Sequence, residues 1–542
     1  MPESTDNSRW ERASILLLIF SSVIVYLNSL GGEFVFDDFH FIVNNLWIRD
    51  WRHIPEILFS PVFASLPEDQ IGKADPNFYR PGFHFFLMIG YAISGLKPWG
   101  YHIVNIIIHT INVLLLFFIS KPIIGDLSFL GSTSEFNKRL LVLVPAMIFA
   151  VHPIHAENVA FISGINVLGL AIFYLLSFLL YTRERFILSA IAFFLAMLTK
   201  ETAITLPVLL LVYDLKIKKK PVLPIGFWVK RFAPLAVAFA AYFAIRLYSL
   251  GAMVPTANEK VLTPYLYIIN LLPLIGKIFR KLILPYDLAF YVYQMSAPLT
   301  SLLDIRAILL LILLCALIFI TIKIRRSRPA IFLCALWIAL PLVPVFFFGW
   351  VQGAPLYADR FLYSPCAGYS ILAGLLVAIS SGWLDKKIRA KEVKKALYNN
   401  MKIALAVFIV AALILLSIGT IKRNFVWRSQ ITIIEDTLEK APDYQLFRFL
   451  YTRELSKLNR IDEAIVQLKI SIKADYKSPN LHNNLGVFYG RKKLFKEAIG
   501  EFRIALALDP QYEIARKNLE KIMMIMKEGP PSARPSPEKT ID

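Results

Sequence analysis

Long, nearly unbroken apolar stretches recur through most of this chain: Ala13–Leu30, Tyr101–Ser120, Val167–Tyr181, Phe232–Leu250, Ile305–Ile322, Ala330–Gly349, Gly368–Trp383 and Ile403–Ile421. Each approaches the roughly 20 residues a helix needs to cross the hydrocarbon core of a bilayer. Inside lipid a backbone must satisfy its own hydrogen bonds, so such stretches fold as helices. Composition agrees: of 542 residues, 57% are hydrophobic and 18% charged, where a soluble chain averages about 45–50% and about 25%. A soluble enzyme and a disordered chain are both poor fits. The three cysteines, Cys315, Cys334 and Cys366, lie in or beside apolar stretches, which fits neither a disulfide framework nor a cysteine metal cluster. The first stretch lacks a small-x-small cleavage site and reads as a retained span.

The net charge of +20 would suggest nucleic acid in a soluble protein, but the basic residues sit mainly between the spans, which argues against that partner. Arg9/Arg12, Lys121/Lys138/Arg139, Arg183/Arg185, Lys216/Lys218/Lys219/Lys220, Lys230/Arg231, Arg325/Arg326/Arg328 and Lys386/Lys387/Arg389/Lys391/Lys394/Lys395 all fall on one side under one assumption. It is that Phe83–Leu96, with only about 14 apolar residues, does not cross. Tyr265–Leu284, interrupted by Lys277, Arg280 and Lys281, reads as an outer interfacial element. With Leu140–Val151 and the short pair Phe186–Leu198 and Thr202–Leu215, about eleven spans result. Residues 31–100 and 251–304 then form the main outer loops.

Past the last span the pattern changes. Leu485, Gly486, Tyr489, Ala498, Phe502, Ala505 and Pro510 stand at the offsets of a 34-residue tetratricopeptide helix-turn-helix, with His482 in the usual tryptophan place. Stepping back one period brings Ala464 and Leu468 into register. The expected organisation is therefore all-α: a polytopic membrane bundle over 1–421, a short repeat solenoid over 422–527 on the outer side, and a disordered tail over 528–542. Repeats of this kind hold peptides or partner proteins.

Ionisable groups at a membrane boundary are candidates for function, because solvating them there is costly. Several converge on the outer face. Asp37 and Asp38 follow the first span among phenylalanines; adjacent carboxylates raise each other's pKa unless a cation or metal neutralises them. One suits proton abstraction, and a divalent ion at the pair is compatible with it; the plainer alternative is that they cap the next helix. In Tyr79-Arg80-Pro81 the guanidinium suits a phosphate, or serves as an interfacial anchor. His152-Pro153-Ile154-His155-Ala156-Glu157 lacks the i, i+4 pair of a zinc helix, so hydrogen bonding to a sugar or phosphate is the better reading. Lys200-Glu201 and Asp359-Arg360 each read as a local salt bridge, or, facing a cavity, as a source of phosphate ligands.

Together with Gly100-Tyr101-His102, Asn105, His109, Thr202 and Phe361-Leu362-Tyr363, these motifs and the trailing repeats make the sequence resemble the GT-C class of membrane glycosyltransferases, and within it the transmembrane-and-TPR-containing O-mannosyltransferases. The resemblance implies transfer of a mannose or other hexose from a polyprenyl-phosphate donor to an acceptor hydroxyl, with Asp37 as base and Asp38 second. It further implies Arg80, Lys200 and Arg360 around the donor phosphate, His155 or Tyr363 in support, and Tyr79, His102, His152, Glu157, Glu201 and Asp359 lining the donor site. Asn166 stands where related enzymes often carry an acid. The implied partners are the lipid-linked sugar, the bilayer, and an acceptor protein or glycan docked on the repeats. A non-catalytic scaffold that displays the repeats, or a lipid-linked polysaccharide polymerase or ligase, are the competing readings. No Asn-x-Ser/Thr sequon occurs, which favours a bacterial inner membrane with periplasmic repeats over the endoplasmic reticulum.

Overall fold

Helices make up the regular structure in the computed structural model, which describes residues 2–66, 78–125, 135–218, 224–251, 263–290, 299–351, 358–391 and 394–528. No strand occurs among the described residues. The expected disordered tail, from 529 onward, lies outside them. Contacts divide the chain into two units, Met1–Ser429 and Gln430–Asp542. The division falls after Ser429 rather than after residue 421, because the last long helix continues through Val426.

The first unit holds helices α1 (Pro2–Ile24), α2 (Ile54–Phe59), α3 (Pro81–Ser94), α4 (Pro98–Gly125), α5 (Glu135–Val151), α6 (Ala156–Ala160), α7 (Ile165–Thr182) and α8 (Phe186–Thr199). It continues with α9 (Leu206–Val212), α10 (Ile225–Leu250), α11 (Pro264–Ile283), α12 (Ile305–Ile324), α13 (Pro329–Ala339), α14 (Leu342–Val351), α15 (Tyr363–Arg389) and α16 (Lys395–Val426). Eight helical segments among the described residues are long and apolar enough to cross a membrane, or nine if the bent pair Lys138–Val151 and Pro153–Ala160 counts as one. This is an integral, multi-pass architecture, with fewer full-length spans than the expected eleven. The shortfall is the pair around Lys200. Helix α8 has 14 residues, or about 21 Å at 1.5 Å per residue, short of a roughly 30 Å core. Even so, α8 lies antiparallel to α7: Ser177 and Ser189 bond at their hydroxyls at 3.0 Å, and Thr199 packs near Gly169. The returning segment starts at Glu201 and reaches Asp214, whose carboxylate accepts from Tyr181 at 2.5 Å. The pair therefore follows α7 along its length.

The two ends of the bundle differ in character. At one, Lys121 pairs with Glu11 at 2.7 Å, and Arg231 reaches both Glu184 at 2.9 Å and Asp214 at 3.2 Å. These are the basic loops expected on one side. At the other end, Thr420 donates to the Val151 carbonyl at 2.6 Å and Asn424 to the Val25 carbonyl at 2.8 Å. Helix α3 starts with Pro81, whose missing N–H is no loss at a first helical position.

Helix α11 is amphipathic, burying Tyr267, Leu274, Ile278 and Lys281 while Tyr265, Ile268 and Ile283 stay exposed. Its end is fastened to the bundle twice. Lys281 Nζ donates to Asp359 Oδ1 at 2.7 Å with the two side chains only 2% and 3% exposed. His152 Nδ1 accepts from the Ile154 N–H at 3.2 Å, so its Nε2 carries the hydrogen and donates to the Leu282 carbonyl at 3.0 Å. Asp359 also accepts from the Ala289 N–H at 2.7 Å.

The second unit is a stack of helices: α17 (Gln430–Lys440), α18 (Gln445–Lys457), α19 (Ile461–Ala474), α20 (Pro479–Arg491), α21 (Phe495–Leu508) and α22 (Glu513–Glu528). Gln445, Pro479 and Glu513 open helices at a 34-residue spacing. Asn459 and Lys493, one period apart, share the left-handed backbone at φ 57° and 61°, which reverses the chain between paired helices. Ala464, Leu468, Ala498 and Phe502 are buried. His482, in the tryptophan place, donates from Nε2 to the Tyr476 carbonyl at 3.0 Å and meets Glu501 through Nδ1 at 2.7 Å.

Gly486 is the contact point of its pair: a Cβ there would lie 2.7 Å from the Phe502 ring. Gly486→Val should destabilise this repeat by about 1–3 kcal/mol, read as faster amide hydrogen exchange across α20 and α21 with the membrane unit unchanged. Unchanged exchange would mean the helices do not pack at this glycine. Asp359→Asn removes the carboxylate from a buried ammonium and should cost about 3–5 kcal/mol, measured as a lower melting temperature of the detergent-solubilised protein. Adding Lys281→Met should restore most of the loss; a single variant as stable as the parent would dismiss this strut.

Candidate active site

Loops from the end of the bundle opposite the basic loops close around a cavity of about 320 Å³. Asp37, Arg80, Lys200, Glu201 and Arg360 line it, with Ser163, Asn166 and Thr202 between them. Much of the remaining wall is aromatic, including Phe41, Phe83 and Phe361. Acid and cations thus share one compartment and one cavity, although they come from segments far apart in the chain.

The acidic pair splits. Phe36 adopts a left-handed backbone, φ 44°, unusual for a bulky residue, and the chain turns sharply there. Asp37 emerges exposed into the cavity, while Asp38 is fully buried. Asp38 Oδ1 accepts from Ser163 N at 2.9 Å and Ser163 Oγ at 2.5 Å, and Oδ2 accepts from Val35 N at 3.0 Å. Burial pushes the Asp38 carboxyl up, aided by the charge of Asp37; the bonds from Ser163 and Val35 hold it back, to about 7. Asp38, which stands at the N-cap position of the short π-turn Phe39–Val43, makes no side-chain cap bond to it. With its oxygens facing N–H and O–H donors, Asp38 offers little to a metal. Among the described residues no group of three or more His, Cys, Asp or Glu gathers as a metal site.

In this site the sequence neighbours Lys200-Glu201 and Asp359-Arg360 do not pair with one another. Arg80 grips Glu201 with both arms, Nε to Oε2 at 3.0 Å and Nη2 to Oε1 at 2.6 Å, and lies over Phe78 at 4.4 Å. Burial alone would raise the Glu201 carboxyl, but Arg80, with help from Lys200, brings it down to about 2. Arg360 instead meets Glu157, donating its backbone N–H at 3.0 Å and Nη1 at 3.3 Å. Lys200, at the end of α8, makes no ion pair among the described residues and sits 5.0 Å over the Phe361 ring. It is 6% exposed. Burial, reinforced by the charge of Arg80, pulls its ammonium down to about 7.

The other expected site residues lie behind the cavity. Tyr79 is buried and donates to the Leu58 carbonyl at 2.6 Å. His102 packs against Gly32. His152 is the helix fastener described above. His155 sits in an aromatic core, 4.4 Å from both Phe149 and Tyr363 ring centres, and the Tyr363 hydroxyl bonds His109 at 2.8 Å and Asn112 at 3.2 Å. Glu157 meets the cavity through Arg360, whereas Asp359 is held by Lys281, away from the cavity lining. The histidine motif, expected to touch sugar or phosphate, turns inward because Pro153 opens a 3-10 turn that tucks both rings under the loop. The sequence does not single out Ser163, nor the pairing of Lys281 with Asp359. The available signal for Ser163 is its place, with Asn166, as a polar residue in the otherwise mostly apolar stretch Phe161–Val167, just where a span begins.

No family model matches the sequence. The protein O-mannosyl-transferase F38B6.6 of Caenorhabditis elegans is 26% identical over 518 residues, covering 92% of this chain and 63% of that protein. The human protein O-mannosyl-transferase TMTC1 is 26% identical over 533 residues, covering 87% of this chain and 56% of that protein. The chain thus spans about 56–63% of the length of these curated relatives. A crystal structure of ArnT from Cupriavidus metallidurans in the apo state aligns at a TM-score of 0.36 and 14% identity, over 79% of this chain and 76% of that one, a likeness too slight to argue from. Along most of its length, then, the chain is similar to proteins named as protein O-mannosyl-transferases.

Proposed function

We propose that the protein is a membrane glycosyltransferase that moves mannose, or a closely related hexose, from a polyprenyl-phosphate donor to an acceptor hydroxyl, with inversion. The observation that carries this reading is the single cavity holding the exposed Asp37 together with Arg80, Lys200 and Arg360. A scaffold that only displays repeats would have its outer polar groups dispersed, and these are gathered. The relatives' names favour a protein hydroxyl as acceptor.

In the proposed reaction the acceptor oxygen attacks the anomeric carbon while Asp37 takes its proton. The bond from that carbon to the phosphate oxygen breaks, and its electron pair leaves with the lipid phosphate. A phosphate departs as an anion, so the site needs cations around it more than a strong acid. Lys200, lacking a carboxylate partner, is the natural seat; Arg80 and Arg360, held by Glu201 and Glu157, flank it. Displacement with inversion asks for one base, opposite the leaving group. The chain leaves its last span at the cavity end, consistent with repeats on the same, non-cytoplasmic side; we take this to be a periplasm.

Asp37→Asn should lower transfer from polyprenyl-phosphate mannose by about 10²–10⁴-fold while leaving donor binding and the melting temperature in place. Released polyprenyl phosphate, assayed against a panel of lipid-linked sugars with serine- and threonine-containing peptides as acceptors, measures this. Near-normal transfer by the folded variant would refute the assignment. A second outcome concerns pH. Lys200 is cationic below about 7 and neutral above it, so donor affinity should fall as pH rises from 6 to 8, approaching about tenfold per unit once above 7. Lys200→Arg should flatten that dependence; an unaltered slope in this variant would remove Lys200 from the phosphate site.

A further inference from the structure

The buried second aspartate has more partners than a bystander requires. Val35–Asp38 closes on itself twice: the Asp38 N–H donates to the Val35 carbonyl at 2.9 Å, and the Val35 N–H donates to Asp38 Oδ2 at 3.0 Å. Between these bonds Phe36 is held at its positive φ, a conformation that persists only where its surroundings enforce it. Asp37 is the residue whose direction this loop sets. The outer anchor of the loop is Ser163, which gives Asp38 Oδ1 both its N–H and its hydroxyl and itself lines the cavity.

Ser163 is fixed in turn. The Asn105 side-chain amide, fully buried, donates to the carbonyls of Val159, Phe161 and Ile162 at 3.2, 3.1 and 3.3 Å. Next to Ser163, a Cβ on Gly164 would meet the Asn158 backbone at 2.6–2.9 Å, so the loop folds back as tightly as a glycine permits. From α4 through this loop to the acidic turn, a continuous chain of hydrogen bonds ends one residue from Asp37.

We propose that Asp38 and Ser163 are positioning residues that set where Asp37 presents its carboxylate, and that Asp38 takes no part in proton transfer. The inference rests on the reading of Asp37 as base. It assigns distinct duties to two adjacent, chemically identical side chains: one faces the reacting groups, the other holds the backbone that aims it. A misplacement of about 1 Å in such a group costs on the order of 10²-fold in rate, which is the scale at which a lost anchor should show.

The test uses purified full-length Ser163→Ala, which keeps the backbone bond to Asp38 and loses the hydroxyl. With polyprenyl-phosphate mannose and a peptide acceptor, kcat should fall roughly 10–100-fold, with donor KM unchanged and the variant still folding cooperatively at a somewhat lower melting temperature. The acidic limb of the kcat profile should stay in place, and Ser163→Thr should restore the rate. Were Asp38 the base, loss of a bond that stabilises its charged form would move that limb to higher pH, and the proposal would fall. Wild-type kcat in folded Ser163→Ala would overturn it as well, while leaving the base assignment intact if Asp37→Asn is inactive. An active Asp37→Asn overturns both. Should Ser163→Ala fail to fold, Ser163→Cys, with a weaker donor in the same place, carries the same comparison.

Discussion

A carboxylate cannot be buried at the end of an apolar bundle without a cation or several donors, because leaving it uncompensated costs several kcal/mol. In this protein that compensation comes from far along the chain. Glu201 is matched by Arg80, Glu157 by Arg360, Asp359 by Lys281, and Asp38 by the donors of Ser163. Each match joins two segments far apart in the chain. The segments at this end of the bundle are therefore tied together by their charges, and the cavity is the space those ties leave open.

The coarse plan was legible from sequence because its signals are local. Apolar length marks a span, the placement of lysine and arginine marks a side, and a 34-residue period marks a repeat; none of these needs tertiary contacts. The expectations that Phe83–Leu96 does not cross and that Tyr265–Leu284 is interfacial rest on the same local counting; the helices there are, respectively, 14 residues long and amphipathic. The count of spans was less secure because a 14-residue helix and a broken one can cover the depth of α7 by lying against it, and hydropathy does not see that support.

Partner choice was not legible. Lys200-Glu201 and Asp359-Arg360 invite a reading as local pairs, yet neighbouring side chains on an extended or 3-10 backbone point apart, and a partner across the bundle offers better geometry. Likewise, Asp37 and Asp38 are equivalent on paper; only the left-handed Phe36 and the distant Ser163 distinguish them. The histidines misled for a related reason. A polar cluster at the end of a span looks like a rim, but in a large bundle that end is also core, where rings such as His155 and His109 pack against Phe149 and Tyr363. In the repeats, Asn459 and Lys493 adopt a backbone that glycine more often marks, so the turn is visible only through its period.

Among the described buried groups that line the cavity, Lys200 departs from the rule of matched charges, and its setting explains how the site can remain folded with a cation to spare. An ammonium ion in this nearly buried place, beside Arg80, is poorly favoured, and its proton affinity falls until the charged and neutral forms are close to balance at neutral pH. The folded protein thus avoids most of the penalty of holding a bare charge. In the proposed reaction an arriving phosphate restores the missing partner, favours the protonated form, and brings a half-charged group fully to its cationic form. The phenyl ring of Phe361 beneath Lys200, and Phe78 beneath Arg80, limit the water that would otherwise screen that attraction. A fully paired lysine would bind the phosphate only by giving up a salt bridge, and an exposed one would bind it through high-dielectric solvent. The unmatched, half-titrated position between those extremes is the one in which an anion gains most from the same side chain.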